Sequence, residues 1–217
     1  MDYEQARFNM IEQQVRTWEV LDQQVLDLMG SVHREDFIPE TYKKLALADV
    51  NIPLLHDQVT MTPKIEAKAL QAVSISSTDK ILEIGTGCAY LTTLLAKSGN
   101  HVVSVDIHPE FTRQAAQKLA DHGVKNVELH TGNAVNGWSA GAPYDVILVT
   151  GSMPMLNPVI EQQLQVGGRL FVIVGLSPVM SAMLITRTSN SSWTRKALFE
   201  TDLPALIGAE TPVKFRF

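Results

Sequence analysis

The chain of 217 residues is predicted to fold as an α/β protein, with a doubly wound, mostly parallel sheet behind an N-terminal helical cap. Three observations predict it. Short runs of β-branched residues and leucine alternate with helix-compatible segments from Lys80 onward. The first run, residues 80–84, ends in a turn with two closely spaced glycines, Gly85 and Gly87, and residues 91–97 then resume with helical spacing. The second run, residues 101–105, ends at Asp106, an acidic residue about 20 positions beyond the glycine turn, where a carboxylate accepts from both hydroxyls of a ribose. Strand, glycine turn, helix, strand and acid together make a nucleotide-binding βαβ unit.

The remaining elements follow from the same periodicities. Residues 3–17 place Phe8, Ile11 and Val15 at helical spacing among polar residues, which predicts an amphipathic helix. A second helix is predicted over 22–29, ended by Gly30 and Ser31, and a third over 45–49 that turns extended at 51–54. These pieces form a cap of residues 1–55 ahead of a core of residues 56–217, the whole read as one domain. Within the core, 65–73 reads as a helix and 109–122 as another, with Phe111, Ala115 and Leu119 on one face and Gly123 past its end. Residues 127–131 give a third strand, opening into Gly132-Asn133-Ala134, and residues 144–150 a fourth. A helix over 158–164, a turn at 166–169 and a fifth strand over 170–174 follow. Two more strands, 180–188 and 195–201, flank the polar turn 189–192 as an antiparallel hairpin, for seven strands in all.

Composition narrows the function. Hydrophobic residues at 45% and charged residues at 19% are ordinary for a globular chain. A net charge of −5 argues against an extended phosphate-binding surface, so no nucleic-acid partner is expected. The single Cys88 cannot pair within the chain, the N-terminus is polar and charged, and no run reaches the roughly 18 apolar residues that span a bilayer. The expectation is a cytoplasmic protein with no membrane partner, a monomer or weak homodimer. The six histidines are scattered without ligand spacing, so no metal is expected.

The choice of nucleotide turns on one position. A dinucleotide fingerprint needs a third glycine where this chain has Tyr90, which counts against NAD. The pattern E-x-G-x-G-x-A, Glu83 to Ala89, instead resembles motif I of class I S-adenosylmethionine methyltransferases, with Ala89 in the last glycine's place. A second stretch is more specific. Val32, Arg34, Phe37, Ile38 and Pro39, then Tyr42, Ala46, Ala48 and Asp49, then Ile52-Pro53-Leu54, resemble the N-terminal region of protein-L-isoaspartate O-methyltransferases, and the resemblance extends over residues 30 to 175.

The resemblance implies a Rossmann-like, seven-stranded class I methyltransferase fold, S-adenosyl-L-methionine as cofactor, and a protein or peptide substrate with isoaspartyl residues. In that chemistry the isoaspartyl α-carboxylate takes the sulfonium methyl, and the ester then collapses to a succinimide that reopens to aspartate. A carboxylate with a reference pKa of about 4 is ionised at neutral pH, so the enzyme's task is positioning rather than general-base catalysis. For cofactor binding the resemblance implies Gly85, Thr86 and Gly87 at the methionine moiety, with Glu83 beneath the turn, bonding its backbone or the cofactor's amino group. It implies Asp106 and Ile107 at the ribose, Asn133 and the Ala134 amide at the adenine, and Thr150 at the end of the fourth strand.

The family's loop G-Q-T-I-S-x-P carries the serine assigned to its active site. Here the loop reads Asp57-Gln58-Val59-Thr60-Met61-Thr62-Pro63, and Met61 stands in the serine's place. A thioether donates no hydrogen bond. Thr60 and Thr62 flank it and are the candidate catalytic hydroxyls, with turn or helix-cap roles as the alternative. The change also leaves open a different carboxylate or a small molecule as acceptor, or a module that binds S-adenosylmethionine without transferring its methyl.

Overall fold

Seven strands form one sheet in the order β3-β2-β1-β4-β5-β6-β7 in the computed structural model, which describes residues 2–210. Met1 and residues 211–217, the last of the predicted core, lie outside the described residues. The strands are β1 (Lys80–Ile84), β2 (His101–Asp106), β3 (Val127–Thr131), β4 (Tyr144–Met153), β5 (Leu164–Leu176), β6 (Val179–Ser189) and β7 (Ser192–Thr201). Strands β1 to β5 pair in parallel, and β5, β6 and β7 form an antiparallel meander. The helices are α1 (Tyr3–Asn9), α2 (Gln23–Ser31), α3 (Pro63–Val73), α4 (Tyr90–Ser98), α5 (Pro109–Asp121) and α6 (Pro158–Gln162).

Alternation along the central strands divides the core in two. Ile81, Val102, Val146, Leu148, Phe171 and Ile173 point to one face, where they pack with residues of α2 to α5. Their neighbours Leu82, Ile84, Val103, Val105, Ile147, Val149, Leu170 and Val172 point to the other, beneath Ile160 of α6. Both faces are therefore covered, which is why these strands read as continuous apolar runs.

The strand order reverses at β1, whose neighbours are β2 and β4, and a ligand crevice is expected at the carboxyl ends on either side of that reversal. The fifth strand is longer than predicted. Leu164 already pairs with Tyr144, so the helix before it stops at Gln162, and the glycine pair Gly167-Gly168 lies within the strand at a register shift.

The cap departs from the sequence reading in two places. The predicted helix over 3–17 is α-helical only to Asn9, widens to a π-type turn over Met10–Val15, and ends in a 3₁₀ turn with Glu19 in the left-handed region. A π-type turn holds an extra residue, which rotates the apolar face. Met10 and Val15 are buried, whereas Phe8 is 60% exposed. The helix predicted over 45–49 is displaced to a 3₁₀ segment at Glu40–Leu45. Among the described residues no helix is long and apolar enough to cross a membrane.

Candidate active site

The glycine turn is held open by β4. Gly85 sits at φ +99°, and a Cβ built on it would lie 2.1 Å from Oγ1 of Thr150. That hydroxyl faces the carbonyls of Ile84 and Gly85 at 3.0 and 2.8 Å. Thr150 therefore braces the turn rather than offering its proton to a ligand. On the other side, Asp106 accepts from the Gly87 amide at 2.9 Å through Oδ2 and from the His108 amide at 3.0 Å through Oδ1. Each oxygen keeps a lone pair for a further donor.

These groups line a cavity of about 710 Å³. Gly85, Gly87, Asp106, Ile107, Asn133, Ala134 and Thr150 all contribute to it, so seven of the predicted residues converge at one place. Asn133 does so in an altered way: its Oδ1 already accepts from the Val135 amide at 2.9 Å, closing a local turn. Ala134 is buried, and its amide makes no hydrogen bond among the described residues. Two parts of the wall escaped prediction. One is the strap carrying Leu54, Gln58 and Val59, at whose tip the His56 ring stacks on His108 at 4.0 Å. The other is residues 203–207, which return along β4 through a bridge between Ser152 and Ala205. The apolar run Leu203-Pro204-Ala205-Leu206 was the only signal for the second, and it carries no information about where it docks.

Beneath the turn lies a smaller chamber of about 340 Å³, which shares Leu54, Val59, Gly85, Gly87 and Thr150 with the first. Glu83, Thr86, Thr60, Met61, Glu66, Cys88 and Leu91 line the rest. Thr86 is buried with its hydroxyl 2.7 Å from that of Ser104. Thr62 lines neither space; it occupies the N-cap position of α3 with its hydroxyl buried and unpartnered. Of the two flanking threonines, only Thr60 reaches the site.

Glu83 is bonded differently from expectation. Rather than meeting the backbone of the turn, its Oε2 accepts from the hydroxyls of Thr92 at 2.5 Å and Ser104 at 2.6 Å, and its Oε1 is buried without a partner. Burial pushes its carboxyl up to about 8, against the pull of the two hydroxyl donors. The folded state thus holds this proton more tightly than the unfolded chain does. Its contribution to stability is complete below the ordinary carboxylate range and is lost as pH rises through about 8. Thermal unfolding of the ligand-free protein between pH 5 and pH 9 is expected to show a Tm falling over that window, and Glu83→Gln to flatten the fall. An equal fall in the variant would assign it to other groups.

A wholly buried guanidinium fixes the loop opposite the turn. Nε of Arg34 donates to Glu66 Oε2 at 3.0 Å, Nη1 to the Ala46 carbonyl at 2.7 Å, and Nη2 to the Met61 carbonyl at 2.8 Å and Thr60 Oγ1 at 3.3 Å. Burial lowers the pKa of Arg34, and the charge and hydrogen bonds of Glu66 more than offset this, so its net shift is upward and the guanidinium stays charged, while burial also pushes the Glu66 carboxyl up against the pull of Arg34. Nζ of Lys118 adds a second tie, donating to Phe37 O in the cap at 2.6 Å and to Cys88 O in the glycine turn at 3.2 Å.

A glycine turn after the first strand, an acid ending the second and a strand order reversing between them define a Rossmann-like fold of the class I methyltransferase type. Over residues 5–208 the chain matches the family model for protein-L-isoaspartate(D-aspartate) O-methyltransferase. It belongs to that family. It is 34% identical over 202 residues to protein-L-isoaspartate O-methyltransferase from Rhodopseudomonas palustris, covering 93% of each chain. The protein of the same name from Opitutus terrae is 37% identical over 177 residues, 80% of this chain and 76% of that one. Among solved structures, a protein-L-isoaspartate O-methyltransferase superposes with a TM-score of 0.78 at 23% identity, over 93% of this chain and 66% of that one. A Plasmodium falciparum protein in complex with S-adenosyl-L-homocysteine superposes with a TM-score of 0.79 at 16% identity, over 95% and 98%. Both likenesses are of fold.

Proposed function

We propose that the chain is an S-adenosylmethionine-dependent carboxyl methyltransferase that repairs proteins by methylating isoaspartyl residues. The observation that carries this reading is the convergence of Gly85, Gly87, Asp106, Asn133 and Ala134 on one cavity in a chain of this family. The residues fit the cofactor's chemistry. Asp106 presents free lone pairs to a ribose, the unpaired Ala134 amide suits a ring nitrogen of adenine, and the unpartnered Oε1 of Glu83 suits an ammonium group. Gly85 and Gly87 allow close approach of the backbone, while Thr86 and Ile107 complete the walls.

The cofactor, when bound, supplies an electrophilic methyl group. The protein's part is to bind, orient and exclude water, since an acceptor carboxylate arrives already ionised. Among the described residues no lysine or arginine lines either space, so the acceptor carboxylate meets no full counter-charge there and stays nucleophilic. The test is transfer of labelled methyl from S-adenosylmethionine to an isoaspartyl peptide, with the label released as methanol in mild base. Base-stable label would indicate an amine acceptor and overturn the carboxyl reading.

A further inference from the structure

The family loop that this chain resembles has its serine at the position of Met61, which here is a buried thioether lining the smaller chamber. The neighbouring residue, at which the family loop has isoleucine, is Thr60. Its surroundings are unusual for a loop threonine. The side chain is 5% exposed, its amide donates to Ile52 O at 2.9 Å, and its carbonyl accepts from Asn51 Nδ2 at 2.8 Å. Its Oγ1 accepts twice, from the Ile52 amide at 3.1 Å and from Nη2 of Arg34 at 3.3 Å.

Two acceptances fill both lone pairs of a hydroxyl and leave only its proton to be shared. Among the described residues nothing takes that proton, and the other two hydroxyls that line the smaller chamber are already engaged, Thr86 with Ser104 and Thr150 with the Ile84 and Gly85 carbonyls. A guanidinium bonded to the oxygen also polarises the O–H toward donation, because chains of hydrogen bonds reinforce one another in a poorly screened interior.

Resting on the methyltransferase reading above, we infer that Thr60 is this chain's substitute for the family serine, donating its hydroxyl proton to a carboxylate in the smaller chamber, with Arg34 as its positioning residue. The hydroxyl has moved one place along the loop, and the Arg34 fork fixes it there together with the Met61 carbonyl. The carboxylate comes from one of two sources, the isoaspartyl acceptor or the methionine end of the cofactor. Both present the same chemistry to a donor.

The experiment compares wild type, Thr60→Val and Thr60→Ser, reading kcat and KM on an isoaspartyl peptide and the Kd of S-adenosylhomocysteine by calorimetry. A lost hydrogen bond to a charged group corresponds to roughly a 10- to 100-fold effect. Thr60→Val is expected to show that loss in kcat/KM with Kd unchanged if the acceptor's carboxylate is bound, or in Kd if the cofactor's is. Thr60→Ser keeps the oxygen and restores wild-type values in either case. Because Thr60→Val also leaves the Ile52 amide unpaired and removes one of the acceptors of Arg34, folding is checked by thermal unfolding. Thr60→Cys, which fills the space and donates only weakly, makes the same comparison if the valine variant does not fold. Wild-type kcat/KM together with wild-type Kd in the valine or cysteine variant would overturn the inference. Should wild type itself fail on the isoaspartyl peptide, the repair reading falls separately, and an unchanged Kd in the variant then overturns this inference as well.

Discussion

Gly85→Ala is expected to abolish cofactor binding and to lower Tm by on the order of 10 °C. Two effects combine. The residue sits at φ +99°, a region that an L side chain enters only under strain, and its new methyl would stand 2.1 Å from Thr150 Oγ1. Thr150 would have to turn away, giving up its contacts with the Ile84 and Gly85 carbonyls, so the brace and the turn would fail together. The steric part is separable. Without Oγ1 the nearest Thr150 atom is Cβ at 3.5 Å, ordinary contact, so Gly85→Ala in a Thr150→Ala background should cost clearly less than in wild type. A double-mutant cycle in Tm and in the Kd of S-adenosylhomocysteine measures this coupling, and strictly additive effects would contradict the brace.

Asp106→Ala is expected to weaken S-adenosylhomocysteine at least about 100-fold, since bonds to an ionised group are worth roughly 1.5–3 kcal/mol each and the ribose offers two hydroxyls. The carboxylate also anchors the Gly87 and His108 amides, so its removal loosens the glycine turn itself. The two roles differ in readout. Loss of the anchor lowers Tm without ligand, whereas loss of the ribose contact removes the rise in Tm that saturating ligand produces. A variant with the ligand-induced rise intact would place the ribose elsewhere.

Much of this was legible in the sequence because it depends on local chemistry. The parallel strands appear as unbroken apolar runs, since both faces of the sheet are covered, and the glycine turn and Asp106 lie where short-range geometry requires them. What depends on distant packing was not legible. The π-type turn at Met10–Val15 changes the phase of an otherwise regular amphipathic pattern, and nothing in Phe8 or Ile11 signals it. Thr60 and Thr62 are equivalent in sequence, and only the buried Arg34, 26 positions from Thr60, selects the first. The partners of Glu83, Thr92 and Ser104, come from α4 and β2 and could be assigned only once those elements were in position. Residues 203–207 reach the cavity through a bridge to Ser152, a contact set by the way β4 runs past its pairing with β1.

On this reading the site carries methyl to an isoaspartyl carboxylate. The most direct test is initial-rate transfer of labelled methyl to a peptide containing one isoaspartyl residue and to the same peptide with aspartate. Saturable, base-labile incorporation is expected into the isoaspartyl peptide alone, and is expected to be lost in Asp106→Ala. Equal incorporation into both peptides, or none into either from protein that binds S-adenosylhomocysteine, would contradict that reading.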